Sequence, residues 1–336
     1  MEDNGFVSGL ENVGHVLQRA ALFSVIEFLA SKIENDTEGE GFDRAQSDIV
    51  LLVKEPEIYQ HSSKQQVIHD AFHQTCKDFS AESGIRFQVV FSTHSEKFIG
   101  MNKFHSARIL RRATVDGEEQ HGCASVSVAR ASRFFAEALN RDPLSDASFE
   151  SKMHIFSREI CEGFFARKVV LVEGVSDRAV LEAVYRAVGR HPDAEGIAII
   201  SVDGKTKMDK PLFVFNSLGI PAFAVFDSEQ SKADKKQKIN ANIIIQKVLG
   251  VAQPIDFPDG CFEKFASFSE NMETHLKGLS AEAWEREVQI YKEEFGFDSD
   301  DICKTPWVAQ QICGKLVEGG VELARFQRII DSVDAL

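Results

Sequence analysis

Close cysteine pairs are missing from this chain. Its six cysteines, Cys76, Cys123, Cys161, Cys261, Cys303 and Cys313, fall singly with no CxxC or CxxxC spacing. That excludes a zinc knuckle and a disulfide scaffold, and it suits a reducing cytoplasm. Long apolar runs are missing too, and the first fifteen residues hold no basic stretch followed by an apolar one. A soluble cytoplasmic chain with no membrane partner is expected. A basic surplus is also absent: 38 Lys and Arg face 52 Asp and Glu, for a formal charge of -14. This argues against a surface that is basic all over, the simplest signature of a nucleic-acid binder. It leaves nucleic acid open as a substrate, because a cleft can be locally basic and carboxylates holding divalent cations present positive charge to phosphate. No internal repeat or low-complexity tract occurs. What is present is 336 residues with 43% hydrophobic content, enough for two buried cores.

Two blocks read as α/β. In the first, DIVLLV from Asp48 is an apolar run expected to form a strand covered on both faces. A helix is expected over residues 63–80, a second strand in RFQVVFSTHS from Arg86, and a third in ARIL from Ala107. Ahead of them, residues 13–32 read as a helix. Residues 113–166 are weakly patterned and read as a connector. The second block begins at Lys168: strand KVVLV, helix over 177–188, strand in GIAIIS, helix over 210–218, strand in AFAVF, then a helix-rich tail from Asp234. Alternating strands and helices favour a parallel sheet with its site beyond the carboxyl ends of the strands.

The acids stand at those ends. Glu173 follows VVLV at once, and Asp227 and Glu229 follow AFAVF at once. In a parallel sheet both sets emerge at one edge, with Asp177 a helical turn beyond Glu173 and Asp234 just past the second set. Converging carboxylates repel one another unless a cation lies between them, and hard oxygen donors suit Mg²⁺ or Mn²⁺. Such ions, one or two of them, activate water and steady a phosphodiester. Acids at strand ends also serve loops and helix starts, so VLVEG alone would mean little; two strand ends, one with a DxE, mean more.

VVLVEGVSDRAVLEAV followed by GIPAFAVFDSE resembles a Toprim domain, the fold of topoisomerases, primases and certain nucleases. More closely, the chain is similar to the overcoming-lysogenisation-defect (OLD) family of ATPase-Toprim nucleases. That resemblance implies Glu173, Asp177, Asp227, Glu229 and Asp234 as metal ligands, with Glu229 standing where aspartate is commoner. FSENMETHL adds Glu273 as a ligand, and CKTPWVAQQICGKL makes Lys304 the catalytic lysine, placed to offset charge on the transferring phosphate. Asp203-Gly204-Lys205 resembles the family's strand-end glycine and lysine.

The first block resembles the carboxyl-terminal part of an ABC-type ATPase head. Residues 14–29 resemble the signature segment, DIVLLVKEPE the Walker B strand with Glu55 as hydrolytic glutamate, and VVFSTHS the switch with His94 as γ-phosphate sensor. Yet no G-x-x-x-x-G-K-[ST] occurs, and Lys54 stands where an acid should anchor Mg²⁺. The expected fold is thus a partial ABC-type ATPase subdomain over residues 1–112, the connector, and a Toprim domain with a parallel sheet and helical extension over 167–336. The expected function is a Mg²⁺- or Mn²⁺-dependent DNA endonuclease or nickase in phage defence or DNA metabolism. ATP is expected to act only if a partner supplies the phosphate-binding loop, and a homo-oligomer or such a partner is expected. Two other classes stay open: a regulatory subunit of an ATPase-nuclease complex, and a primase-like nucleotidyl transferase or ribonuclease.

Overall fold

The structure is a computed structural model that describes residues 2–3, 6–7, 48–58, 60–83, 86–99, 103–115, 118–153, 158–231, 235–296 and 305–336. Asp234, Lys304 and the segment 14–29 lie outside the described residues. The chain divides into two compact units, residues 1–98 and 99–336.

In the first unit, β1 (Glu2–Asp3) pairs antiparallel with β2 (Phe6–Val7). The strand β3 (Ile49–Lys54) pairs parallel with β4 (Phe87–Ser92), from Ile49 beside Phe87 to Lys54 beside Ser92. Helix α1 (Ser62–Ser83) joins them. Burial alternates along both strands, as period-2 side chains dictate when one face is covered. Phe87 is buried among Ile49, Leu51, Cys76 and Val89, while Phe72 stacks on Phe91 with centroids 5.7 Å apart. Cover on both faces was expected of β3. Instead Val50, Leu52 and Val90 are exposed, Leu52 at 74%, because among the described elements α1 packs on one face only.

The second unit opens with an antiparallel hairpin, β5 (Ile109–Val115) and β6 (Glu118–Ala124), so the ARIL segment enters a hairpin. Helices α2 (Val128–Ala138), α3 (Asp146–Glu150) and α4 (Arg158–Glu162) follow, and Ser127 starts α2 by accepting the Arg130 N–H at 3.2 Å. The central sheet then forms from β7 (Lys168–Val172), β8 (Ile197–Ser201), β9 (Ala222–Asp227), β10 (Gly260–Cys261) and β11 (Phe265–Phe268) in the order β10-β11-β9-β7-β8. All neighbours are parallel except β10 with β11.

Both faces of this sheet are covered, which is why its strands read as unbroken apolar runs. Val169, Leu171, Ala224 and Phe226 point into one core with helix α7 (Asp209–Ser217), α8 (Lys235–Val248), Phe135 of α2 and Phe149 of α3. Val170, Val172, Phe223 and Val225 point into the other, with α5 (Val175–Ala187) and the carboxyl-terminal helices α9 (Met272–Leu279), α10 (Ala281–Phe295), α11 (Pro306–Glu318) and α12 (Ala324–Ala335). A four-residue helix, α6 (Pro192–Glu195), precedes β8.

Two sequence readings change here. The stretch read as a connector supplies Val126, Val128, Ala131, Met153 and Ile160 to the first core, because its apolar residues cover the α7–α8 side of the sheet. The tail read as helical contains β10 and β11, and β11 extends the parallel sheet beside β9, with Phe268 opposite Asp227. Among the described residues no helix is long and apolar enough to cross a membrane.

Candidate active site

Three parallel strands end together. β7 delivers Glu173, β9 ends on Asp227, and β11 ends opposite Asp227 and leads into α9, whose first turn carries Glu273. The turns are tied to one another: the Asp227 N–H points at Glu173 Oε2 at 3.3 Å, the Gly204 N–H donates to Glu173 O at 2.9 Å, and the Ser228 N–H donates to Phe268 O at 2.7 Å. The Asp177 carboxylate reaches back from the first turn of α5 to accept the Gly174 N–H at 2.7 Å, which closes the helix start and fixes the acid beside Glu173.

Burial of several acids together sets the electrostatics. Asp227 is pushed up to about 9, first by burial and then by the charges of Asp177 and Glu173. Asp177 is pushed up to about 7, mainly by burial, with Glu173 and Glu273 adding repulsion. Burial also raises Glu173, against the pull of Lys205 and the Asp227 N–H. Glu173, Asp177 and Asp227 therefore repel one another, and Glu273 adds its charge at Asp177.

Glu229 is held differently. It is 5% exposed, adopts a left-handed backbone (φ 54°), and pairs with Lys205 at 3.0 Å and Lys238 at 2.5 Å. Lys205, itself 3% exposed, also donates to the Asp227 carbonyl. Its position follows from the turn after β8, where Gly204 has φ 112°, a conformation that a side chain would strain. Lys238, from the first turn of α8, carried no signal in the sequence that set it apart from other lysines of a solvated helix. Asn242, one turn further along α8, anchors the same loop from below by donating to Ser228 O at 3.2 Å and Asp256 O at 2.8 Å.

Among the described residues no three carboxylate, imidazole or thiolate groups form a ready-made metal cage. The donor chemistry nonetheless fits a hard divalent cation: Glu173, Asp177 and Asp227 are oxygen donors, and Lys205 is the buried cation among them.

In the other unit, Glu55 and His94 stand at the carboxyl ends of the paired strands β3 and β4. Glu55 has φ 45°, its N–H donates to Ser92 O at 3.0 Å, and its carboxylate lies 3.8 Å from Lys54. The His94 N–H donates at 2.6 Å to Glu57, a residue the sequence reading passed over although it is the second acid of Glu55-Pro56-Glu57. The two positions share an edge of the paired strands.

Comparison with known proteins gives a family match in each part of the chain. Residues 164–228 match the family model "Overcoming lysogenization defect protein-like, TOPRIM domain", and residues 4–99 match "AAA ATPase domain". The chain is 25% identical over 229 residues to the Old nuclease of Escherichia phage P2, covering 68% of this chain and 35% of that protein. It is 25% identical over 187 residues to the OLD nuclease of Thermus scotoductus, covering 55% and 32%. The chain thus spans about a third of the length of these curated relatives. Among solved structures it is similar to the C-terminal regions of the OLD proteins of Xanthomonas campestris pv. campestris (16% identity, TM-score 0.36, 51% of this chain and 96% of that one) and Burkholderia pseudomallei (15%, 0.37, 51% and 98%). The chain joins an AAA ATPase segment to an OLD-like Toprim segment, and it is to the OLD family that it is similar.

Proposed function

We propose that this protein is a Mg²⁺- or Mn²⁺-dependent DNA endonuclease or nickase, acting through the Toprim site in phage defence or DNA metabolism. The observation that carries the reading is the meeting of Glu173 and Asp227 after the carboxyl ends of adjacent parallel strands, with Asp177 in the first turn of α5 and Glu273 adding its charge at Asp177. Buried like charges at this density favour a site that takes up cations.

Glu173, Asp177 and Asp227 would hold the ions, with Glu273 and Asp234 completing the set. When bound, such ions lower the pKa of a water and take up charge on the phosphate oxygens. Glu173 is assigned the proton of the attacking water. Lys205 and Lys238 pair with the Glu229 carboxylate and hold it in the buried turn after β9. Lys304 is assigned to the negative charge that builds on the scissile phosphate.

Supercoiled plasmid tests the reading. Wild-type protein with Mg²⁺ or Mn²⁺ should nick or linearise it, EDTA should stop the reaction, and Glu173→Gln, Asp227→Asn and Lys304→Ala should each lower the rate by about 10²-fold or more. Folded protein that leaves plasmid intact under every metal would overturn the nuclease reading, as would cleavage indifferent to all three substitutions.

A second reading concerns the ATPase half. The exposed Val50, Leu52 and Val90 of the β3–β4 pair favour a partner polypeptide that covers this face and supplies the phosphate-binding loop. Under it the protein alone turns over no ATP, and turnover appears only with the partner present.

A further inference from the structure

Beside the carboxylate cluster lies a pocket of about 300 Å³ whose lining includes Asp259, Glu270, Asn271, Thr274, His275 and Arg325. It is joined to the site by backbone rather than by chance proximity. The Ser228 N–H donates to Phe268 O at 2.7 Å, the Gln230 N–H to Ser269 O at 3.0 Å, and the Ser231 N–H to Glu270 Oε1 at 3.1 Å, so the pocket wall is zipped to the segment that carries Asp227 and Glu229. Glu273, whose charge acts on Asp177, stands on the same first turn of α9 as Asn271 and Thr274. The helix start itself is already satisfied, since Asn271 Oδ1 accepts the Thr274 N–H at 2.7 Å.

Two groups inside the pocket are under-used. His275 Nε2 is buried with no hydrogen-bond partner among the described residues, an arrangement that is costly unless a ligand or water completes it. Arg325 donates from Nη1 to Asp259 Oδ1 at 2.7 Å and weakly to Ser267 O at 3.5 Å, and its guanidinium lies over the Phe268 ring at 5.1 Å. Its Nε and Nη2 have no hydrogen-bond partner among the described residues. Arg325 is thereby held flat and oriented with part of its donor fork unspent.

The charge balance decides what kind of ligand fits. Asp259 and Glu270 set two carboxylates against the one guanidinium of Arg325 in the pocket lining. An anion is therefore disfavoured. A neutral planar group with acceptors for Arg325 and donors for the carboxylates is favoured, and the volume is at the lower end of small-ligand sites. A guanine has that pattern: O6 and N7 match an arginine fork, and its N–H groups suit carboxylate acceptors.

Resting on the nuclease reading above, we propose that this pocket receives an unstacked guanine of the substrate strand next to the scissile phosphate, with Arg325 as the specificity-determining residue. An unstacked base requires a single-stranded or locally opened substrate. The site would therefore cut at a fixed step from a guanine.

The test has a binding arm and a cleavage arm. Guanosine, added to the full chain without divalent cation, should shift the His275 ring resonances; Arg325→Gln and Thr274→Tyr should weaken that binding at least tenfold, and Glu173→Gln should leave it unchanged. The tyrosine is introduced at an exposed position to fill the pocket, so it keeps the test valid if loss of the Arg325–Asp259 pair harms folding. Sequenced cleavage ends should show guanine enriched at one fixed position, and both pocket variants should flatten that bias. A cleaving enzyme with no guanosine binding and no bias overturns the pocket assignment, as do equal effects from adenosine or stronger effects from inorganic phosphate. Guanosine binding with no metal-dependent cleavage would support the pocket and strike the nuclease reading instead.

Discussion

Lys205 and Glu229 form the most deeply buried ion pair of the site, and a buried pair is costly to break because it strands one charge away from water. Lys205→Met should lower stability by about 3 kcal/mol in urea titration, toward the lower end for such losses because Lys238 still reaches Glu229. The double variant Lys205→Met/Glu229→Gln should recover part of it. A Lys205→Met protein as stable as wild type would show that water reaches this pair. Asp227 yields a pH prediction. Its carboxyl holds a proton up to about pH 9 in the folded protein but loses it near the ordinary carboxylate range when unfolded, so the native state binds more protons between those limits. In EDTA the melting temperature should therefore fall as pH rises from about 6 to 9, and Asp227→Asn should flatten that slope. Glu173 and Asp227 were legible because each follows an apolar strand at once. Lys205 was seen only as part of a motif, since its burial depends on the turn at Gly204 and on packing from β9.

At the scale of elements, α12 is clamped to the sheet by polar contacts from distant sequence. Lys168 Nζ donates to the carbonyls of Val333 and Asp334 at 2.9 and 2.7 Å, and Arg190 binds Asp334 at 2.6 Å and also Glu195. Arg190 holds both carboxyls below their usual range. Sign follows directly: with folded pKa values depressed, the clamp stabilises above the ordinary carboxylate range and is lost as pH falls through and below it. Arg190→Gln should remove part of the acid limb of a pH–stability curve between about pH 5 and 3, and an unchanged limb would place the acid sensitivity elsewhere. In the sheet, Leu171 is fully buried, and Leu171→Ala should cost about 2–5 kcal/mol in the same denaturation assay. β7, β8 and β9 could be read from their apolar runs. β11 could not, because four residues, FASF, carry too little pattern to outweigh the helices around them; it is a strand because β9 offers it an open edge.

For the whole molecule, the two large cores both lie within residues 99–336. A chain of those residues alone should fold cooperatively and keep the plasmid-cleaving activity of the full protein; a fragment that precipitates, or shows no sharp thermal transition, would contradict this. The sequence by itself determined the order of an ATPase-like block and a Toprim-like block, the apolar runs that form β7, β8 and β9, and the acids that follow two of them. These follow from local hydrophobic pattern and from chain order, which need no knowledge of neighbours. Only the tertiary structure decided that residues 126–161 line a core, that Lys205 and Lys238 restrain Glu229, and that Arg325 and His275 share a pocket beside α9. Those facts depend on which surfaces meet, and a meeting between residues far apart in the chain leaves no periodic trace in either segment.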